Sequence, residues 1–255
     1  MSSTTSSFPE RIELSGEGLV LRDWTEADLA AMPTLFDHPD IAYWTPIVSP
    51  FDEVAARARL DLDRKLRAEG TTILLAVTVD GGAPLGEVML RRAPEGTELG
   101  YAIGPAHRGR GLAARAVRVM TSYAFEQLGA GQVILELEAE NAASVAVATK
   151  AGFGLLDVPL ITGEEKGRPY ALQTWGLNRP RPSASPKLSS GTCAADIADT
   201  NRHEQQRSRP ILGARQGRAQ PGGPLRHRSR VINLIGMWSE LKTRVKTANR
   251  PSTRR

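Results

Sequence analysis

The chain has 255 residues, one cysteine, Cys193, and a formal net charge of +5 at pH 7. The charge is unevenly distributed, because residues 1–179 carry 17 Lys+Arg against 24 Asp+Glu, whereas residues 180–255 carry 16 against 4. A single cysteine excludes a disulfide framework and a thiolate metal cluster. Only His38 and His107 precede residue 180, which argues against a metal site built from several imidazoles.

Composition divides the chain into three parts. Residues 10–179 have the size of one folded domain, and residues 1–9 are expected to be disordered. Residues 180–255 are rich in Arg, Pro, Ser and Gln, so we expect a basic, largely disordered tail with a short amphipathic helix near 231–246. Without a long apolar run or signal-peptide pattern, no membrane span and a cytoplasmic location are expected.

Apolar periodicity, capping residues and glycines predict a mixed α/β order of one strand, two helices, three strands, helix, strand, helix and two strands. The predicted elements are a strand at Leu19–Leu21, a helix capped by Thr25, a helix from the Ser49–Glu53 stretch to Gly70, strands at Ile73–Val79, Pro84–Leu90 and Glu98–Ile103, a helix from Gly109 to Gly129, a strand at Val133–Leu137, a helix at Ala142–Lys150, and strands at Gly154–Val158 and Tyr170–Leu177.

The segment from Ile103 to Ala113 combines a strand end, a loop with glycines and arginines, and a helix start. A helix N-terminus exposes backbone N–H groups and partial positive charge, and glycines let the backbone approach phosphate oxygens closely. Arg108 and Arg110 add positive charge. The segment therefore predicts an anion site, although a simple strand-to-helix turn is the alternative.

Two nucleotide motifs compete for this loop. A Walker-type loop is excluded, because Arg110-Gly111 follow Gly109 in place of Lys-Ser/Thr. The spacing Gly109-x-Gly111-x-x-Ala114 fits a dinucleotide fingerprint, with Glu136 and Glu138 on the next strand for a ribose contact. The dinucleotide-binding fold is disfavoured but not excluded, because the four residues Pro105–Arg108 separate the strand from the glycine turn and three antiparallel strands precede it.

The stretch from Arg108 to Ala113 resembles the Arg/Gln-x-x-Gly-x-Gly/Ala signature of the GNAT superfamily of acyl-CoA N-acetyltransferases. Asn141-Ala142-Ala143-Ser144 and Lys150-Ala151-Gly152-Phe153 are similar to two further elements of that family. The stretch from Leu21 to Asp28 resembles the ribosomal-protein N-terminal (RimJ/RimL-like) acetyltransferase branch. The resemblance covers about residues 10–178 and leaves out the tail.

The resemblance implies the GNAT fold, an α/β architecture with a mixed central sheet whose splayed strands are flanked by helices. The splayed strands would be Glu98–Ile103 and Val133–Leu137, with acetyl-CoA between them as co-substrate. Asn141 would lie beside the cofactor, although an Asn before an Ala-rich helix also suits an N-cap. The implied cofactor-binding residues are Tyr101, Ala102, Ile103, Arg108, Gly109, Arg110, Gly111, Leu112, Ala113 and Asn141.

The resemblance also implies direct attack of an amine on the thioester, which requires no cysteine nucleophile. Many relatives carry a tyrosine as general acid seven residues after the Asn, but Ala148 occupies that position here. Ser144 is therefore the candidate acid, and a small packing residue is the other interpretation. Glu98 is the favoured base and Glu87 the second candidate, each acting through water; a solvated strand carboxylate is the alternative for both.

The acceptor is expected to be cationic, because the domain is acidic. Tyr43 and Trp44 fall where relatives form the acceptor wall, although Trp44 also suits a hydrophobic core. We expect an N-acetyltransferase for a primary amine, foremost a protein N-terminus. An aminoglycoside or polyamine acetyltransferase, or a noncatalytic CoA- or nucleic-acid-binding module, is the alternative.

The binding partners of the tail and the oligomeric state of the chain are left open by the sequence. Its arginines suit contact with nucleic acid or with an acidic protein, and a nonfunctional extension explains them equally well. The chain is expected to be a monomer or a homodimer.

Overall fold

The structure is a computed structural model that describes residues 8–93 and 96–180. The predictions for the basic tail and its amphipathic helix near 231–246 lie outside the described residues, as does most of the predicted disordered segment 1–9. Phe8, at the end of that segment, is buried in the hydrophobic core. The packed part of the chain thus includes a residue before position 10.

The described residues form five α-helices and nine β-strands. In chain order these are β1 Glu13–Gly16, β2 Leu19–Asp23, α1 Met32–Phe36, α2 Pro39–Trp44, α3 Glu53–Ala68, β3 Thr72–Thr78, β4 Gly86–Ala93, β5 Gly96–Ile103, α4 Leu112–Glu126, β6 Gln132–Glu138, α5 Ala142–Lys150, β7 Gly154–Leu155, β8 Ile161–Glu165 and β9 Arg168–Asn178.

One mixed sheet organises the described residues, with the strand order β1-β2-β3-β4-β5-β6-β9-β7 and β8 paired to β9. Neighbouring strands are antiparallel except β5 and β6, which form a parallel pair. A doubly wound dinucleotide fold requires a mostly parallel sheet. The dinucleotide-binding alternative for the glycine loop is therefore wrong, and the mixed α/β sheet flanked by helices is confirmed.

The sheet separates two hydrophobic clusters because side chains alternate along each strand. In β3, Ile73 and Leu75 belong to the cluster that contains residues of α4 and α5. Leu74 and Ala76 belong to the cluster that contains residues of α1, α2 and α3. Every residue of β3 is buried, as expected for a strand covered on both faces.

The prediction from sequence missed three elements and misplaced part of a fourth. β1, the short helix α2 and strand β8 were not predicted, and β7 ends at Leu155 instead of Val158. Thr25 precedes a single 3-10 turn, Glu26–Asp28, before α1 begins. Asp28 Oδ2 accepts hydrogen bonds of 2.8 Å from both the backbone N–H and the hydroxyl of Thr25, which fixes that turn.

The two central strands separate within the sheet. β5 and β6 are in register at three positions only, the last of which joins Leu99 to Leu135. Beyond these residues β5 continues to Ile103 beside β4, and β6 continues to Glu138 beside β9. The splay predicted for these strands is therefore present, and it opens the sheet from one end.

Candidate active site

A cavity of about 540 Å³ occupies the opening between β5 and β6. Its walls come from α2 and the following loop, from β4, β5 and β6, from the start of α4 and from α5, with one residue each from α3 and β9. Most of the residues predicted to form the site lie on this cavity. The exceptions are Tyr43 and Arg110, which are exposed and do not contribute to its lining.

The turn before α4 presents a row of backbone N–H groups. Gly109 and Gly111 have φ angles of 75° and 71°, in the left-handed region where glycine is not strained. Among the described residues, no hydrogen-bond acceptor is found for the amides from Gly109 to Ala114. The first intrahelical bond of α4 is donated by Arg115 to the carbonyl of Gly111. These amides and the helix dipole favour a bound anion.

Arg108 holds the turn in place. Its Nε donates to the carbonyl of Ile103 at 3.2 Å, and its Nη1 donates to Asp40 Oδ2 at 2.9 Å. The side chain thus ties the loop to the end of β5 and to α2. This contact gives Arg108 a structural role in addition to its positive charge.

The end of β5 faces the cavity with Tyr101, Ala102 and Ile103. These residues follow the last pair with β6, so β6 does not occupy this edge of β5. The Tyr101 hydroxyl oxygen is buried. Burial raises the pKa of Tyr101 to about 12, and the nearby Ser144 side chain opposes that rise. Tyr101 therefore stays protonated at neutral pH and brings a hydroxyl next to Ser144 across the opening.

Asn141 and Ser144 lie at the start of α5, and both line the cavity. The Asn141 side-chain oxygen accepts a hydrogen bond of 3.1 Å from the backbone N–H of Ser144. Asn141 is thus the N-cap of α5, the structural interpretation left open by the sequence. Ala148, in the position of the tyrosine found in many relatives, is fully buried in the core.

Two buried ion pairs line the face of the sheet that packs on α3. Glu98 of β5 pairs with Arg91, its cross-strand neighbour on β4, and Glu87 of β4 pairs with Arg59 of α3. Both carboxylates line the cavity. Glu87 Oε2 is buried and has no hydrogen-bond partner among the described residues. Both carboxylates suggested as bases thus reach the cavity, and each is held by a guanidinium in a charge-assisted ion pair.

The two adjacent aromatic residues at the end of α2 have different surroundings. Trp44 is half-buried and lines the cavity, and it belongs to neither hydrophobic cluster. Tyr43 is 51% exposed and packs edge-to-face on Trp44, with ring centroids 4.6 Å apart. The guanidinium carbon of Arg168 lies 4.1 Å from the Tyr43 ring centroid. Tyr43 therefore supports Trp44 from the outside.

Sequence reasoning did not identify several charged residues at this site. Arg59 lies on α3, where periodicity marks a charged position but does not say that it faces a cavity. Lys166 and Arg168 lie on the β8–β9 hairpin, in the stretch between the last two predicted strands. Their side-chain contacts, with β4 for Arg59 and with α2 for Lys166 and Arg168, join residues distant in sequence, which local patterns do not encode.

The chain matches the Acetyltransferase (GNAT) domain family over residues 18–154 and belongs to it. It is thus an acetyl-CoA-dependent N-acetyltransferase, with acetyl-CoA as co-substrate. Among curated proteins it is 26% identical over 142 residues to the uncharacterized N-acetyltransferase p20 of Bacillus licheniformis, covering 54% of this chain and 79% of that protein.

Solved structures share the fold at low sequence identity. RimL, described as a ribosomal L7/L12 alpha-N-protein acetyltransferase, has a TM-score of 0.59 and 14% identity, covering 68% of this chain and all of that chain. Spermidine N-acetyltransferase from Vibrio cholerae, solved with CoA and spermine, has a TM-score of 0.54 and 19% identity, covering 64% of this chain and 96% of that chain. These neighbours confirm the GNAT fold.

Within the described part of the chain, no helix has the length and apolar character needed to cross a membrane.

Proposed function

We propose that the protein transfers the acetyl group of acetyl-CoA to a protein N-terminal amine. The observation that carries the proposal is the opening between β5 and β6 beyond Leu99 and Leu135. It brings unsatisfied amides, at the turn before α4, and buried carboxylates, on β4 and β5, to the same cavity. An anionic cofactor suits the amides, and a cationic amine suits the carboxylates.

The residues around these amides fit coenzyme A. An ideal Cβ at Gly109 or Gly111 would meet no atom within 4 Å, so the space above the turn is open. The amides from Gly109 to Ala114 would hold the pyrophosphate, and the β5 edge at Tyr101–Ile103 would pair with the pantetheine arm. Leu112 and Ala113 lie on the same wall. When bound, acetyl-CoA supplies an acetyl group activated as a thioester.

Two side chains have proposed roles in proton transfer. Glu98 would take the proton of the acceptor ammonium through a water molecule, and its ion pair with Arg91 holds the carboxylate at the cavity wall. Ser144 would supply a proton to the departing sulfur, directly or through water. The protonated Tyr101 hydroxyl beside Ser144 supports a donor role for this pair of hydroxyls.

A polyamine is the second candidate acceptor. Glu136 and Glu138 line the cavity together with Glu98, and a row of carboxylates suits a substrate with several ammonium groups. A protein N-terminus presents one ammonium followed by a neutral backbone, which Trp44 and its neighbours could contact. The structural likeness to RimL and to the spermidine enzyme supports both acceptors without separating them.

The test is a comparison of acceptors under identical conditions. Thiol release from acetyl-CoA by the full-length chain would be measured with N-terminal peptides, spermidine and an aminoglycoside. The proposal expects the highest kcat/KM with a peptide, and acetylation of its α-amine by mass spectrometry. A kcat/KM for spermidine about tenfold or more above that of every peptide would favour the second candidate. Acetyl-CoA binding without turnover on any amine would favour a noncatalytic module.

A further inference from the structure

The hairpin formed by β8 and β9 reaches across to the C-terminal end of α2. Its tip contains Lys166 and Gly167, whose φ angles of 54° and 76° are both in the left-handed region. Lys166 Nζ donates hydrogen bonds to the carbonyls of Ala42 at 2.7 Å, Thr45 at 2.9 Å and Ile47 at 2.6 Å. One ammonium group thus donates hydrogen bonds to three carbonyls within a stretch of six residues.

Arg168, two residues further along the hairpin, continues the same connection. Its Nη2 donates to the Tyr43 carbonyl at 3.0 Å, and its guanidinium lies over the Tyr43 ring. The guanidinium also forms two hydrogen bonds with the Glu138 carboxylate, at 2.7 Å and 2.5 Å. This pairing raises the pKa of Arg168 above its usual value, so the group remains charged.

These contacts join the two sides of the cavity. Trp44, Thr45 and Ile47 line it on the α2 side, and Glu138 lines it on the β6 side. α2 has only six residues, so it is too short to be stable by its own hydrogen bonds. Positive charge at the carbonyl end of a helix is stabilising, and Lys166 and Arg168 supply it from another part of the chain.

We propose that Lys166 and Arg168 are positioning residues that hold the wall Trp44–Ile47 in place for the amine acceptor. The proposal rests on the proposed function, since it treats this end of the cavity as the acceptor end. Neither residue is assigned contact with the reacting atoms. Their loss is therefore expected to weaken acceptor binding most and to leave the chemistry intact, with a smaller effect on acetyl-CoA binding, because Arg108 of the glycine turn is tied to Asp40 at the start of α2.

The experiment compares Lys166→Met with Lys65→Met in the full-length chain. Both substitutions remove one ammonium group from an exposed lysine, but Lys65 lies on α3 next to Glu69, at 3.9 Å. For Lys166→Met we expect acceptor KM to rise by about tenfold and kcat to change less than about threefold. The Kd of acetyl-CoA should change by less than the acceptor KM, because the contact between Arg108 and Asp40 lies at the other end of α2. Arg168→Gln provides a second variant with the same expected KM effect.

Amide hydrogen exchange over residues 42–47 gives a readout that needs no turnover. Faster exchange in Lys166→Met than in Lys65→Met, together with the KM effect, would support the proposal. An acceptor KM equal to that of Lys65→Met would overturn it, and so would unchanged exchange over 42–47. If the wild-type chain acetylates no amine, the proposed function fails. Unchanged exchange over residues 42–47 in Lys166→Met would then reject the positioning role of Lys166 independently of turnover.

Discussion

Leu99 of β5 and Leu135 of β6 form the last pair of a parallel ladder only three residues long. Each strand continues beyond this pair with a partner on its other side only, and the cavity occupies the space between them. The backbone of β5 therefore remains available to a ligand at Tyr101–Ile103. A break in strand pairing thus creates the site, which the surrounding helices then complete with amides and side chains.

The glycine turn gives the first prediction. Gly111→Glu should weaken acetyl-CoA binding by at least about tenfold, because it places a carboxylate where the anion would lie. Gly129→Glu is the matched control: Gly129 has a φ of 68°, close to the 71° of Gly111, and both have open space around them. Equal binding by both variants, measured by calorimetry, would reject the assignment of this turn.

The two buried carboxylates give the second prediction. Glu98→Gln and Glu87→Gln each leave a buried guanidinium without its counter-charge, so each should cost about 3 kcal/mol of stability. The kcat/KM of Glu98→Gln should in addition be about a hundredfold lower than the kcat/KM of Glu87→Gln, because only Glu98 is proposed to act as the base. Steady-state kinetics at a temperature where both variants are folded makes the comparison. A lower kcat/KM for Glu87→Gln than for Glu98→Gln would contradict the prediction and would assign the base to Glu87.

Ser144→Ala tests the proposed proton donor. Alanine keeps the backbone N–H that binds Asn141, so α5 should retain its N-cap. We expect kcat to fall by about tenfold or more, with the Kd of acetyl-CoA unchanged. Thr149→Ala removes a hydroxyl near the other end of the same helix, where it donates to the carbonyl of Val145. If both variants lose the same activity, Ser144 has no special role in proton transfer.

Asp63 gives a prediction about stability and pH. Burial raises its pKa from 3.8 to about 6, although Arg67 and a hydrogen bond from the Leu74 amide oppose the rise. Because the folded pKa lies above the unfolded one, the favourable contribution is present below pH 4 and is lost as pH rises through 6. The loss should total roughly 3 kcal/mol relative to Asp63→Asn, which does not titrate.

Denaturant unfolding of wild type and Asp63→Asn at several pH values between 4 and 7 measures this difference. A difference in unfolding free energy that stays constant over this range, or that changes in the opposite direction, would contradict the assignment.

The predictions from sequence succeeded where local signals determine structure. The bounds of α5 agree because Asn141 caps its start and Gly152, with a φ of 89°, follows its end. β3 agrees because every residue in it is apolar or small enough to be buried on both faces. The glycine turn was placed correctly because a strand end, a short loop with two glycines and a helical period follow one another in order along the chain.

The missed elements lack a local apolar pattern, and some of the contacts that hold them are distant in sequence. β8 is mostly exposed and polar, so its strand conformation comes from pairing with β9 and has no hydrophobic alternation to reveal it. α2 is short, and its C-terminal carbonyls are satisfied in part by Lys166, more than a hundred residues later. The ion pair of Glu87 with Arg59 likewise joins β4 to α3. Motif spacing located the cofactor loop but not these partners.

Calorimetric titration of acetyl-CoA and of NAD into the full-length chain tests the central claim most directly. The open edge of β5 and the amides of the Gly109–Ala114 turn are expected to bind acetyl-CoA with one-to-one stoichiometry, and NAD is expected to give no saturable heat. Adding an amine acceptor should then release free thiol. Saturable binding of NAD, or no binding of acetyl-CoA by the folded chain, would contradict the assignment of this cavity.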